Sequence, residues 1–140
     1  MAPSAFPRPQ NVAIRMNRGA TTELERVISA THDRWFDLEA ITFDRDAKSL
    51  TIPFWGAPTM RYPRDESGNP KPCDRQLTIA GATSYRVADR ELIRIYSFNT
   101  MEQVGEVLTI KADPYVTITV EGNEMSIAVT DMAGRAEPTV

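Results

Sequence analysis

His32 and Asp33 are the first residues to which chemistry could be assigned. His32 is the only histidine of the chain, and only a histidine side chain has an unperturbed pKa near neutrality. A neighbouring carboxylate, Asp33 or Asp37, could orient the ring and make it a general base. The competing role is a helix cap, in which His32 bonds a free carbonyl at a helix end and Asp33 shapes the turn after it. A Ser-His-Asp arrangement also needs a positioned nucleophile, and the sequence has no Gly-x-Ser-x-Gly elbow. His32, Asp33 and Asp37 are therefore weak catalytic candidates, and the reading assigns no catalytic residue. Asp37 and Glu39 alternate along a run and could form a carboxylate pair for acid–base work. The same pair suits the solvated face of an edge strand.

Other chemistries find less support. One histidine and one cysteine, Cys73, give no Cys-x-x-Cys or His-Glu-x-x-His spacing. The two acids of Asp44-Arg45-Asp46 lack the remaining ligands of a calcium loop. The glycines form no phosphate cradle. The expectation is no metal and no cofactor. Trp55 and Tyr62 flank a proline-rich stretch and are the candidate partner-binding anchors; Trp55 could equally close the end of the core. Arg86, Arg90 and Arg94 recur every four residues and read as solvated charges.

These residues must be positioned by one domain, since 140 residues is an ordinary single-domain length. The apolar fraction of 41% and charged fraction of 25% are globular. A net charge of −3 and a pI near 5.2 argue against a nucleic-acid footprint. A single cysteine forms no intrachain disulfide and fits a reducing compartment. No run approaches the roughly 18 apolar residues of a membrane span, and the start of the chain lacks a signal-peptide core. The expectation is a cytoplasmic protein, without membrane or nucleic-acid partners. Arginine outnumbers lysine, as in GC-rich bacterial genomes.

Along the chain, residues 1–10 hold Pro3, Pro7 and Pro9 and read as a flexible tail. Val12, Ile14 and Met16 alternate as a short strand. Thr22-Glu23-Leu24-Glu25 has the form of a capping box, and Leu24, Val27 and Ile28 share one helical face over 23–30. Residues 35–44 read as one strand, returning through a polar turn into Leu50, Ile52 and Phe54. The 56–74 stretch, with four prolines, reads as a mobile loop. A short strand follows around Leu77 and Ile79, and Tyr85 and Val87 form another. Leu92, Ile93, Ile95, Tyr96 and Phe98 read as a strand buried on most of both faces. Pro114 makes a break. Val116, Ile118 and Val120 then alternate with polar residues, as do Met125, Ile127 and Val129 after Gly122-Asn123. That pattern predicts a hairpin with a two-residue turn. Residues 135–140 read as a second tail, so the domain spans 11–134. The fold class is α+β: one N-terminal helix on a strongly bent, mostly antiparallel sheet or half-open barrel of six to eight strands.

The segment from Thr31 to Phe43, with His32-Asp33 after a short helix and Asp37-Leu38-x-x-Ile41-x-Phe43-Asp44 behind it, resembles small uncharacterised bacterial β-rich proteins that are immunity-protein-like. The later Leu77-x-Ile79-x-Gly81 is similar too, and the likeness covers about half of the chain. It implies a non-catalytic binding protein that blocks a toxin. The expected function is a non-enzymatic interaction domain with a protein partner or a homo-oligomeric state. The alternative is a small hydrolase or isomerase using His32 with a carboxylate.

Overall fold

Leu24, Val27, Ile28 and Thr31 recur at helical spacing, and helix α1 spans Arg18–Thr31. The computed structural model describes residues 18–132. The strand read at Val12, Ile14 and Met16 and both tails lie outside these residues. The helix starts earlier than the 23–30 expectation, so Thr22 lies within it and not at its N-cap. Val27 is buried in the core, with Leu24 and Ile28 packed against it. The buried Thr31 hydroxyl donates back to the Val27 carbonyl at 2.9 Å. The helix ends where Asp33 adopts a left-handed conformation, φ 66°, which Asp tolerates better than most residues.

The strands are β1 (Trp35–Asp37), β2 (Thr42–Asp44), β3 (Ser49–Phe54), β4 (Arg75–Asp89), β5 (Ile95–Val104), β6 (Val107–Asp113) and β7 (Val116–Asp131). All pairings are antiparallel, in the order β1-β5-β6-β7-β4-β3, with β2 on the outer side of β3. β1 also pairs with β3, Phe36 opposite Phe54. The expected half-open barrel is therefore closed: six strands form the barrel and β2 is extra. Helix α1 packs against β5 and β7.

Three expected elements differ. Residues 35–44 are not one strand, because a 3₁₀ turn, Leu38–Ala40, interrupts them. The register shows the insertion directly: Phe36 faces Phe54, whereas Phe43, seven residues on, faces Leu50, only four residues back. Three extra residues are looped out of one edge line along β3. Glu39 sits in that turn, so it does not alternate with Asp37 along a strand.

The predicted final hairpin is instead the single strand β7, paired with β4 from Arg75–Asp131 at one end to Asp89–Val116 at the other. Between the pairs Ala80–Ser126 and Ala82–Gly122, three residues of β7 oppose one of β4. This irregularity shifts the buried set from even to odd positions. Gly122 is needed there for space. A Cβ on it would lie 2.1 Å from the Gly81 carbonyl oxygen. The two-residue turn expected at Gly122-Asn123 exists elsewhere: Gly105-Glu106 links β5 to β6, with Val104 opposite Val107 and Gly105 at φ 62°. Likewise the two short strands read around Leu77 and Tyr85 are one strand, β4.

Finally, the buried run 92–98 begins only at Ile95. Leu92 and Ile93 are exposed, 81% and 48%, in the connection ahead of β5. The core inside the barrel is built from Phe36, Leu50, Ile52, Phe54, Leu77, Ile79, Tyr96, Phe98, Leu108, Ile110, Ile118 and Val120.

Candidate functional site

His32 lies at the end of α1, its backbone N–H donating to the Ile28 carbonyl at 2.8 Å. Its Nδ1 is 3.2 Å from an Asp33 carboxylate oxygen, and both side chains are exposed, 48% and 71%. The pair sits in water at a helix end. Asp37 does not join it.

Asp37 has other partners. It is nearly buried and caps the 3₁₀ turn by accepting from the Glu39 N–H at 3.0 Å. Arg94 grips it bidentately, Nε to Oδ1 at 2.9 Å and Nη2 to Oδ2 at 2.7 Å. Both carboxylate oxygens are committed to hydrogen bonds. The hydrogen bonds and charge of Asp37 in turn hold the Arg94 guanidinium even more firmly protonated. Glu39 adds a weaker contact at 3.6 Å.

Cys73 feels the same carboxylate. Burial pushes its thiol up to about 12, helped by the negative charges of Asp37 and Asp74. That is the reverse of a nucleophile's environment. Among the described residues, no group of three or more His, Cys, Asp and Glu could hold a metal ion.

Trp55 and Tyr62 are brought together, with ring centroids 6.0 Å apart. Trp35 joins them, edge-on to Tyr62 at 6.4 Å. Trp55 is buried, and its indole N–H donates to the Lys71 carbonyl at 3.0 Å. The Trp35 indole donates to the Thr59 carbonyl at 3.0 Å. Arg64 lies over the Tyr62 ring at 5.5 Å. These rings fasten the 56–74 segment to the barrel. Within that segment, Asp65 turns the chain by accepting from Ser67 and Asn69 N–H at 2.8 and 3.0 Å, and Arg64 bridges Pro70. Trp55 is thus buried beneath the 56–74 segment.

Met60 of the same segment is exposed, and further exposed apolar side chains lie elsewhere. Leu92 and Ile93 stand at the crest of the β4–β5 connection. Leu92 and Arg94 have φ 53° and 78°, a region disfavoured for side chains of this size. Five contacts hold the loop in that shape. The Leu92 N–H donates to Asp89 Oδ1 at 3.0 Å. The Ile93 N–H donates to the Tyr96 hydroxyl at 3.1 Å, and that hydroxyl donates to Asp89. The Arg94 carbonyl accepts from the Leu38 N–H at 2.8 Å, while its side chain clamps Asp37. Burial, then the Asp89 bond, raises the Tyr96 phenol above its ordinary value, so it stays a donor. Val87 and Tyr115 are also exposed. The pairing of Asp89 with Val116 sets Tyr115 beside the loop, and Arg90 lies over its ring at 6.0 Å. Sequence reasoning missed this ridge because Leu92 and Ile93 open an apolar run. The local signal was Asp89, three residues before Leu92, which can cap a turn.

A hollow of about 680 Å³ runs along the β2–β3 hairpin, lined by Thr42, Asp44, Asp46 and Thr51 among others. His32, Asp33 and Asp37 do not border it.

No family model matches the chain, and no curated protein matches it. It is similar to the crystal structure of an uncharacterized protein from Neisseria gonorrhoeae, at 13% identity and a TM-score of 0.39, over 70% of this chain and 90% of that one. A likeness of that size carries no argument about fold or function.

Proposed function

We propose that the protein is a non-enzymatic, cytoplasmic interaction domain that docks a protein partner on the Leu92–Ile93 ridge. One observation carries this reading: a loop with Leu92 and Arg94 in left-handed conformation presents the two large apolar side chains of Leu92 and Ile93 to water. Each such conformation costs of order 1 kcal/mol or more and persists only where surrounding contacts over-determine it. Here Asp89, Tyr96 and Asp37 supply those contacts. Such a rigid ridge would bind with little ordering entropy left to lose. The immunity-like resemblance points the same way, toward a partner that is bound and blocked. The hydrolase or isomerase alternative gains no geometric support, because among the described residues the base candidate pairs with its exposed neighbour alone.

The test uses the Leu92→Ser/Ile93→Ser double variant as bait beside the native chain in host lysate. The expected result is a stoichiometric partner lost by the variant at unchanged melting temperature. A partner retained by the variant, or lost only on Trp55→Ala with Tyr62→Ala, would overturn the ridge as the docking surface.

A further inference from the structure

The C-terminal half of β4 has one open side. Residues 75–80 of β4 lie between β3 and β7, but residues 84–89 pair with β7 alone. Among the described residues, no backbone group takes up the outer edge of 84–89. Other part-open edges are protected: α1 packs against β5 and β7, and β2 has only three residues. The 84–89 edge carries few of the usual safeguards. It has no proline and no lysine, and its register against β7 is unbroken from Ser84 to Asp89. Ser84, Arg86, Val87 and Ala88 are all exposed. Unpaired, regular edges of this kind template another strand.

We infer that this edge pairs with the same edge of a second copy, antiparallel about a two-fold axis through Val87. The inference goes beyond the ridge reading and concerns a different surface. The charges select the register. A two-fold normal to the sheet requires each residue to face its mirror position about the central residue. Centred on Val87, Val87 covers Val87 of the second copy, Arg86 faces Ala88, and Asp89 faces Tyr85. No like charges lie directly opposite each other. Centred on Arg86, the two Arg86 side chains face each other. Centred on Ala88, Arg86 faces Arg90. Like charges directly opposite destabilise a ladder. Centring on Tyr85 runs the ladder into Gly81 and Ala82, whose N–H groups already donate to the Lys48 carbonyl at 2.7 and 3.1 Å.

A short ladder buries less than a standard interface, so the dimer is concentration-dependent, with Kd on the order of micromolar. Sedimentation equilibrium from about 5 to about 500 µM brackets that range. Native chain is expected to pass from monomer to dimer, and Val87→Lys to raise Kd at least about tenfold. Val104→Lys, at a more exposed site beside the β5–β6 turn, is expected to change nothing. In a Cys73→Ser background, Val87→Cys is expected to form a disulfide-linked dimer in oxidised glutathione, because directly opposite Cβ atoms lie about 4.5–5.5 Å apart. Arg86→Cys alone is expected to stay uncrosslinked, and a mixture of Arg86→Cys with Ala88→Cys to crosslink. A native chain monomeric throughout, or a dimer indifferent to Val87→Lys, overturns the inference. Either result leaves the ridge reading standing if Leu92→Ser/Ile93→Ser still loses its partner.

Discussion

Asp37 shows how one carboxylate can be drawn away from catalysis by packing. It caps a turn, anchors Arg94 and raises the Cys73 thiol. Removing its charge should therefore be read out at a residue that is not its hydrogen-bond partner. Asp37→Asn is expected to lower the pH at which Cys73 is labelled by iodoacetamide. It is also expected to reduce the urea midpoint, because Arg94 loses its ionic partner. An unchanged labelling profile would show that burial and Asp74 set the thiol without Asp37. The sign of the pH dependence follows. The thiol rises from 9.0 to about 12 on folding. As pH climbs through that window the unfolded chain gives up its proton first, so stability falls between about pH 9 and 12. Tyr96, also raised, works in the same direction. Urea unfolding at pH 8 and at about pH 10.5 should show the loss, and Cys73→Ala should make it smaller. None of this was legible in the sequence. Arg94 lies 57 residues from Asp37, and nothing local pairs them. What the sequence did show was a lone His32-Asp33 beside a helix end, and that is where the pair lies.

At the scale of elements, alternation read well and connections read poorly. The apolar positions of β3 and of both halves of β7 were visible by period two, and all of them are buried except Val129, which is half-buried. The error at Gly122 has a physical cause. A turn and an irregular pairing both shift the parity of the apolar set, and only the partner strand tells them apart. That partner, β4, was itself split in the reading at Gly81, the residue opposed to the irregularity. The two glycines mark a close backbone crossing, and substitution should separate space from conformation. Gly122→Ala must push its Cβ against the Gly81 carbonyl oxygen at 2.1 Å. A loss of about 3 kcal/mol or more is expected, because backbone has to move. Gly105→Ala has nothing within 4 Å and only its positive φ against it, so about 1 kcal/mol is expected. Thermal or urea unfolding ranks the two. Equal losses would mean that the crossing yields more easily than its contacts imply.

For the whole molecule the decisive event is closure, and it passes through one short strand. β1 has three residues, yet it joins both ends of the sheet: Phe36 faces Phe54 on β3 and Tyr96 on β5. The Trp55 N–H adds a bond to the Trp35 carbonyl at 3.0 Å. Phe36 is fully buried and stacks on Phe98 with ring centroids 4.3 Å apart. Such a joint binds segments distant in sequence, so it forms late and slowly, in the millisecond-to-second range of β-rich topologies. Phe36→Ala removes core packing at the closure itself and is expected to cost about 3–5 kcal/mol. Ile118→Val, equally buried but in the middle of β7, is expected to cost about 0.5–1.5 kcal/mol. The kinetics carry the sharper test. If closure follows the rate-limiting step, Phe36→Ala accelerates unfolding and leaves the folding rate nearly unchanged. If the folding rate instead falls by the full equilibrium loss, β1 is already docked in the transition state. The barrel would then be built around its joint.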